Sequence, residues 1–491
     1  MIRRLWSAET ARHIRKRIVV EGDLVLETPA CLGNGDTDEQ TDMPLLVDAL
    51  DPSLPLLTGA SLAGALRAFL CDWEHGYERA AKSDSLTVRL FGGNPGDEKG
   101  TQSALIVDDA LGRGQRIERR QEVGLDPRSR TSAHDRLFDR ELWAAGTTFS
   151  LRLELLICDG DDEAALCRAL ATALDGLTRG EIGLGARKRR GYGHCTVADW
   201  RLRVYDLARR EDLLDWLKTG DEPLPAPQET EPASVHDALG VREPLADRRD
   251  TFEIEGSFAI DGTLLMGGEG TADGPDKVHT RASRAGHDQP RPVIPGTGLA
   301  GALRARARAI ANTLFPEEQA TRLVDSLFGP AKIERGTNPY ASPLTVAETW
   351  IEGGSDDWVQ FRTRLDRWTA GVLPGALFNA QPMSGGTVAL RLALRKPTDH
   401  GIGLVLLLLK DLWDGDLPLG GEIGSGRGRL SGQCAHLRRR VPGQTECAWT
   451  LTADPQGGLR ITGDRQALED YVSVHLHHWS ERPTSPLPQE N

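Results

Sequence analysis

The residues that offer chemistry most openly lie in the run Gly183-Leu-Gly-Ala-Arg187-Lys188-Arg189-Arg190-Gly191-Tyr-Gly193. Glycines let a backbone lie close against another molecule, and four consecutive cations aim charge at it. Together they suit a phosphate backbone better than a solvated turn. The run fits neither G-x-x-x-x-G-K-[ST] nor G-x-G-x-x-G after a strand, so neither an ATP-cradling loop nor a dinucleotide site is supported. A counterpart, Gly420-Gly-Glu-Ile-Gly-Ser-Gly-Arg427-Gly-Arg429, carries two further cations. Arg67 and Arg304 occupy the same place in two similar segments, where phosphate contact and simple solvation fit equally well. His475, His477 and His478 lack a cysteine or acid at ligand spacing and read as a helix end. Cys434 and Cys447 read as small hydrophobes, and no structural zinc is expected. Ser61 and Ser132 lack the context of a nucleophile elbow.

The elements that position these residues come in duplicate. Gly59-Ala-Ser-Leu-Ala-Gly-Ala-Leu-Arg67-Ala recurs as Gly296-Thr-Gly-Leu-Ala-Gly-Ala-Leu-Arg304-Ala, 237 residues later. Leu90-Phe91-Gly92 recurs as Leu327-Phe328-Gly329 at the same offset. Glu21-Gly22 and Leu32-Gly33 match Glu255-Gly256 and Met266-Gly267 at offset 234, and Gly180-Glu-Ile-Gly-Leu-Gly185 matches Gly421-Glu-Ile-Gly-Ser-Gly426 at offset 241. Four matches in one order make the chain two copies of one domain. The expected divisions are a first domain over 1–215, an acidic proline-rich linker over 216–250, a second domain over 251–440, and a C-terminal extension with a disordered tail over 441–491. Residues 221–250, with five prolines, eight acids and three arginines, read as a semi-extended tether.

Within each copy the pattern runs strand, helix, strands, helix, strand. Ile18 to Leu26, Thr148 to Leu155 and Val388 to Leu394 alternate with the period of a half-buried strand. Leu62 to Leu70 has helical spacing with Ser61 as its expected N-cap, and Ala164 to Leu174 and Leu404 to Trp413 read as the second helix of each copy. The fold class expected is α+β, ferredoxin-like.

Composition sets the outer bounds. The chain has 491 residues, 59 Lys+Arg against 72 Asp+Glu, and a formal charge of −13, which argues against a nonspecific nucleic-acid coat while leaving room for local basic grooves. At 39% hydrophobic and 27% charged, each copy can bury a core. Seven cysteines without a C-x-x-C pair support neither a disulfide framework nor a zinc knuckle. The longest apolar run, Leu404 to Leu409, ends at Lys410, far short of the ~20 residues that span a bilayer. A soluble, cytoplasmic protein without a membrane partner is expected.

At this point the chain resembles a known family. Pro295-Gly296-Thr-Gly-Leu-Ala-Gly-Ala-Leu-Arg304, the glycine-rich loop after the second helix, Leu90-Phe91-Gly92 followed by Ala104 to Asp109, and Arg130 to Gly146 before a strand look like the RAMP superfamily of CRISPR-associated proteins. Each copy resembles the backbone subunit of type III effector complexes, and the tandem resembles the fused subunits of III-D-like complexes. The resemblance implies two tandem modified ferredoxin-like (RRM-like) domains with thumb-like insertions, sought within 111–140 and 330–365. It implies grip on CRISPR RNA, with Ser61, Arg67, Arg187, Lys188, Arg189, Arg190, Arg304, Arg427 and Arg429 as the RNA-binding set. Implied partners are CRISPR RNA, complementary target RNA, and the large, small and other backbone subunits.

The family's cleaving aspartate lies in an Asp-x-Pro segment ahead of the first helix, and Asp42-Met43-Pro44 matches it. The implied activity is target-RNA cleavage by 2′-hydroxyl attack, with Asp42 holding Mg²⁺ or Mn²⁺. Asp42 is otherwise one acid among Asp36, Asp38, Glu39 and Asp48 in a solvated loop. In the second copy offset 234 leads to Asp276 and offset 237 to His279, so either a second cleavage aspartate or a binding-only domain fits. A non-catalytic RNA scaffold is the main alternative. A metal-independent processing endonuclease using His279 or His194 ranks below it, because such enzymes pair dissimilar half-domains.

Overall fold

The computed structural model describes residues 12–33, 35, 44–93, 102–114, 116–125, 132–220, 222–225, 234–269, 274–330, 340–454 and 458–481. Asp42 and its neighbours 36–41 lie outside the described residues.

Each copy is built round one long strand. In the first, Ile14–Leu26 is flanked antiparallel by Thr148–Cys158 and Cys195–Asp206, with Leu105–Val107 and Ala110–Arg113 beyond Thr148–Cys158. In the second, Thr251–Asp261 is flanked by Thr387–Arg395 and Arg429–Arg440, with Leu344–Val346 and Thr349–Glu352 in the matching outer places. Adding helices Gly59–His75 and Glu163–Thr178, or Gly296–Leu314 and Asp399–Trp413, gives the strand–helix–strand–strand–helix–strand order of a ferredoxin-like fold twice over. The α+β reading and the duplication therefore hold.

The reason is periodicity. Thr387–Arg395 alternates exposed and buried along most of its length, so one face meets helices and the other meets solvent. Helix Gly59–His75 turns Leu62, Leu66, Phe69, Leu70 and Trp73 inward, each burial stabilising by roughly 1.5–3 kcal/mol. Its N-cap is Thr58, whose Oγ1 accepts from the Ser61 amide at 3.3 Å. Ser61 is thus freed from the capping role expected of it and faces solvent in the first turn. The two cores are separate clusters, one per copy.

The linker departs from a tether. Helix Arg210–Thr219 runs across the expected boundary at 215, and residues 245–249 pack on the first copy. Trp73 donates its indole N–H to Leu245 O at 3.0 Å, and the Arg249 guanidinium lies 4.3 Å from the Trp73 ring centre while pairing with Asp247 and Glu181. Acid content made this stretch look solvated, yet its arginine stacks on an aromatic that it helps to bury. After residue 440, strands Cys447–Ala453 and Leu459–Thr462 extend the second sheet and helix Arg465–Glu481 covers Asp399–Trp413. Among the described residues no helix is long and apolar enough to cross a membrane.

Candidate nucleic-acid interface

Backbone register fixes how the copies correspond. Gly33 bridges Leu45, and Gly267 pairs with His279; Val47 bridges Pro55, and Arg281 pairs with Pro292. Offset 234 therefore holds through Arg281 and becomes 237 after the following turn, which is three residues longer in the second copy. Asp276 precedes His279 by three residues, as Asp42 precedes Leu45, so Asp276 is the counterpart of Asp42 and His279 that of Leu45.

Asp276 is exposed at the base of a hairpin, Gln360–Leu365 with Val372–Gln381. It accepts the Asn379 amide at 2.8 Å and donates its own amide to the Asn379 side-chain oxygen at 2.6 Å. His279 is 3% exposed: its Nδ1 accepts the Met266 amide at 3.2 Å and its Nε2 contacts Val293 O at 3.0 Å. Burial pushes its pKa down to about 4, so it is a neutral core imidazole, unsuited to proton transfer with RNA.

The glycine-rich turns also change register. Arg187 and Glu422 are both left-handed, each opens a three-residue 3-10 turn, and Gly191 and Gly426 close them. A Cβ on Gly193 would lie 1.8 Å from Leu184 O, and one on Gly428 2.0 Å from Leu419 O. The turns therefore superimpose at offset 235, six residues from the Gly-Glu-Ile-Gly match at 241. Arg187-Lys188-Arg189-Arg190 falls on Glu422-Ile423-Gly424-Ser425, so the cationic turn belongs to the first copy alone.

That turn does not lie wholly open. Arg189 donates to Ser342 O of the second copy, and Arg190 Nη2 donates to Phe328 O at 3.0 Å. Arg187 pairs with Glu122, which also accepts the Tyr192 hydroxyl at 2.8 Å. A Cβ on Gly296, at the start of the second copy's first helix, would lie 2.4 Å from Arg190 O. Nearby Arg120 donates Nη2 to Glu348 Oε1 at 3.0 Å in a buried ion pair across the same seam. Burial alone would lower the Arg120 pKa, but Glu348 and Glu118 hold it well above its ordinary value. Arg189 and Arg190, expected to grip RNA, each also donate a hydrogen bond from the first copy to the second. Arg304 is half-buried and bonded within the second copy to Asp325 at 2.6 Å.

What remains open beside the turn is a groove of about 440 Å³ in the first copy. Gly33, Ser61, Gly64, Gly185 and Lys188 are among the residues that line it. Gly185 has φ +80, and a Cβ there would lie 2.4 Å from Cys31 O. Ser61 and Lys188 of the expected set thus meet at one place, while Arg67 is half-buried on the same helix outside that lining. Partial desolvation, with Arg395 and Arg189 close by, lowers the Lys188 pKa.

In the second copy Gly298 and Ile423 take the places of Ser61 and Lys188. Its cations gather instead on Glu422, which faces Lys277 at 3.4 Å, Arg362 at 2.7 Å and Arg427 at 3.1 Å. Three cations on one carboxylate leave net positive charge. Arg427 is 2% exposed and held by Gln360, so it shapes the turn; Arg429 is exposed at the head of its strand. The gathering of Lys277 and Arg362 on Glu422 is not legible in the sequence, because their charge is scattered there and converges only in the fold.

Two hairpins project where thumbs were sought, Ile117–Leu125 with Ser132–Trp143, and Gln360–Leu365 with Val372–Gln381, the second strand of the latter lying beyond the expected 330–365. The second exposes Phe361, Leu365, Val372 and Leu377 and carries Trp368, 82% exposed with the Arg367 guanidinium 4.7 Å from its ring centre. These side chains leave the hairpin apolar on its exposed surface.

Among the described residues no three His, Cys, Asp or Glu side chains gather as a metal site. Asp276 offers one exposed carboxylate with one oxygen engaged by Asn379. Such a donor fits Mg²⁺ or Mn²⁺ held mainly by water and phosphate rather than by a protein cage.

Comparison with known proteins agrees with this geometry. The sequence profile of the RAMP superfamily matches residues 23–196 and again 263–431, one match on each ferredoxin-like copy. No curated protein matches the chain. Members of the superfamily are CRISPR-associated RNA-binding proteins. With both copies matched and both folded alike, the chain belongs to the RAMP superfamily as two RAMP domains in tandem.

Proposed function

We propose that the protein is a tandem backbone subunit of a type III CRISPR effector complex that holds CRISPR RNA and cuts complementary target RNA at Asp42 and Asp276. The observation that supports this reading is that the pairings Gly33 with Leu45 and Gly267 with His279 keep offset 234 on either side, the offset in sequence between Asp42 and Asp276. In the first copy Ser61 and Lys188 meet the guide backbone in the glycine-lined groove; in the second, Lys277 and Arg362 supply the charge. Base pairing with the guide chooses the target, so no side chain encodes it.

Asp276, and Asp42 by register, would hold a divalent ion through one carboxylate. That ion would stabilise charge developing on the scissile phosphate. The chain's own part is orientation: Asn379 fixes the Asp276 carboxylate at the foot of the hairpin, and Trp368 offers a face on which a base can stack.

A salt series of guide-RNA binding tests the grip. Lys188→Ala is expected to weaken binding across sequences and lower the slope of log K against log salt by about one. An unchanged slope contradicts the assignment of the groove.

A further inference from the structure

The linker walls a second cavity. Helix Val235–Ala238 and residues 241–247 enclose about 590 Å³ against Trp73 and, on helix Glu163–Thr178, Thr172 and Asp175. Arg440, the last residue of the second copy's strand Arg429–Arg440, lines it as well, so both copies and the segment between them form its wall. The cavity is separate from the groove beside Lys188. Ser61 of that groove and Trp73 stand 12 residues apart on one helix, about 18 Å at the rise of an α-helix.

Most of the charge here is already matched. Arg179 pairs with Asp175 at 2.8 Å, and Arg440 with Asp247 at 2.8 Å. Asp247 also accepts Nε and Nη2 of Arg249 at 2.9 and 2.8 Å. Burial opposes the Asp247 charge, but hydrogen bonds from Arg249 and the nearby Arg440 hold its carboxyl below the ordinary pKa. Asp247 is therefore an ionised group that two guanidiniums already claim. Arg242 and the His236 ring line the same cavity, and neither side chain has a partner among the described residues. Arg179, Arg242 and Arg440 against Asp175 and Asp247 leave one positive charge over among the lining residues, before His236 is counted.

These groups describe an anion. A guanidinium fork takes two oxygens of an oxyanion and an imidazole N–H takes a third, one more than a carboxylate carries and the number of terminal oxygens on a phosphate monoester. The remaining wall is apolar: Val241, Pro244 and Leu245. Trp73 gives that wall a fixed base rather than a stacking face, because it donates its indole N–H to Leu245 O while Arg179 and Arg249 lie 5.0 and 4.3 Å from its ring centre. The volume falls within the range of small-molecule sites, roughly 300–1,000 Å³, with room for a body attached to the phosphate.

We propose that this cavity binds a phosphate monoester of mononucleotide size, with Arg242 and His236 on the phosphate and Val241, Pro244 and Leu245 against the rest. The phosphate belongs either to a free nucleotide or to the 5′ end of an RNA, which present the same chemistry. The site needs neither guide RNA nor cleavage, so it stands or falls apart from that reading.

Calorimetric titration of the full chain without guide RNA tests it, using AMP, adenosine, and a trinucleotide RNA with a 5′-phosphate or a 5′-hydroxyl. AMP is expected to bind and to raise the thermal transition, and adenosine to do neither. Arg242→Ala should weaken AMP binding by about tenfold or more, and His236→Ala by roughly fivefold, whereas Lys188→Ala in the other groove should leave it unchanged. Arg242 is exposed and unpaired among the described residues, so Arg242→Ala should keep the thermal transition of the ligand-free wild type. Displacement of AMP by the 5′-phosphorylated trinucleotide but not by its 5′-hydroxyl form supports the site with an RNA end as its ligand; no displacement by either supports it with a free nucleotide. No AMP binding, adenosine binding as tight as AMP, or unchanged affinity in a folded Arg242→Ala chain overturns it.

Discussion

Lowering pH should destabilise the second domain through His279, and the amount follows from its surroundings. The ring is 3% exposed, and protonating Nδ1 would turn the acceptor of the Met266 amide into a donor. Burial holds the folded pKa at about 4, below the 6.5 of a free imidazole. The folded state therefore binds fewer protons than the unfolded state between those values. The stabilisation is whole above pH 6.5 and is lost as pH falls. By linkage about 2 kcal/mol is lost by pH 5, rising to ~3 kcal/mol below pH 4. For a domain of this size that is a Tm change of roughly 4–8 °C at pH 5. Other acids titrate in the same range, so the assay is urea unfolding at pH 7 and pH 5 of the wild type against His279→Leu, leucine being the residue that stands at the equivalent Leu45. The variant should start less stable at pH 7, because the Met266 amide loses its acceptor, yet show a pH loss smaller by about 2 kcal/mol. Equal pH losses would refute the reasoning. So would a folded His279→Leu protein that binds RNA normally but no longer cuts at the second site.

Two further outcomes follow from the seam and the hairpin. Glu348→Gln leaves the Arg120 cation buried without its main partner and should cost about 3–5 kcal/mol in urea unfolding, while Glu348→Gln with Arg120→Met recovers more than half; a single variant as stable as the wild type contradicts the buried pair. Trp368→Ala, at 82% exposure, should change stability by less than ~0.5 kcal/mol but weaken RNA stacking by about 1–3 kcal/mol. Thermal melts and RNA titrations separate the two, and a lower Tm with unchanged binding would contradict the role.

Local pattern carried much of the fold. Alternation in Thr148–Cys158 and the spacing of Leu62, Leu66 and Phe69 are properties of single elements, and repetition at Gly59 and Gly296 doubled the signal. Partners were harder to read. Arg187 to Arg190 announced charge but not that Phe328 O and Ser342 O would take two of the guanidiniums. Identity of residue types misled at Gly180 and Gly421, where five matching letters outvoted a backbone aligned by left-handed Arg187 and Glu422. Arg249 looked like part of a solvated tether because stacking on Trp73 requires contact across 176 positions of sequence. The choice between Asp276 and His279 depended on where three residues were inserted, and only the pairing of Arg281 with Pro292 locates them after both.

Cleavage of an end-labelled, guide-matched RNA by the assembled complex with Mg²⁺ tests the central claim, comparing wild type, Asp42→Ala and Asp276→Ala. Two equivalent active copies predict that each variant loses its own product band and keeps the other. A wild type that holds guide RNA and cuts nothing, or variants that both retain every band, would contradict it.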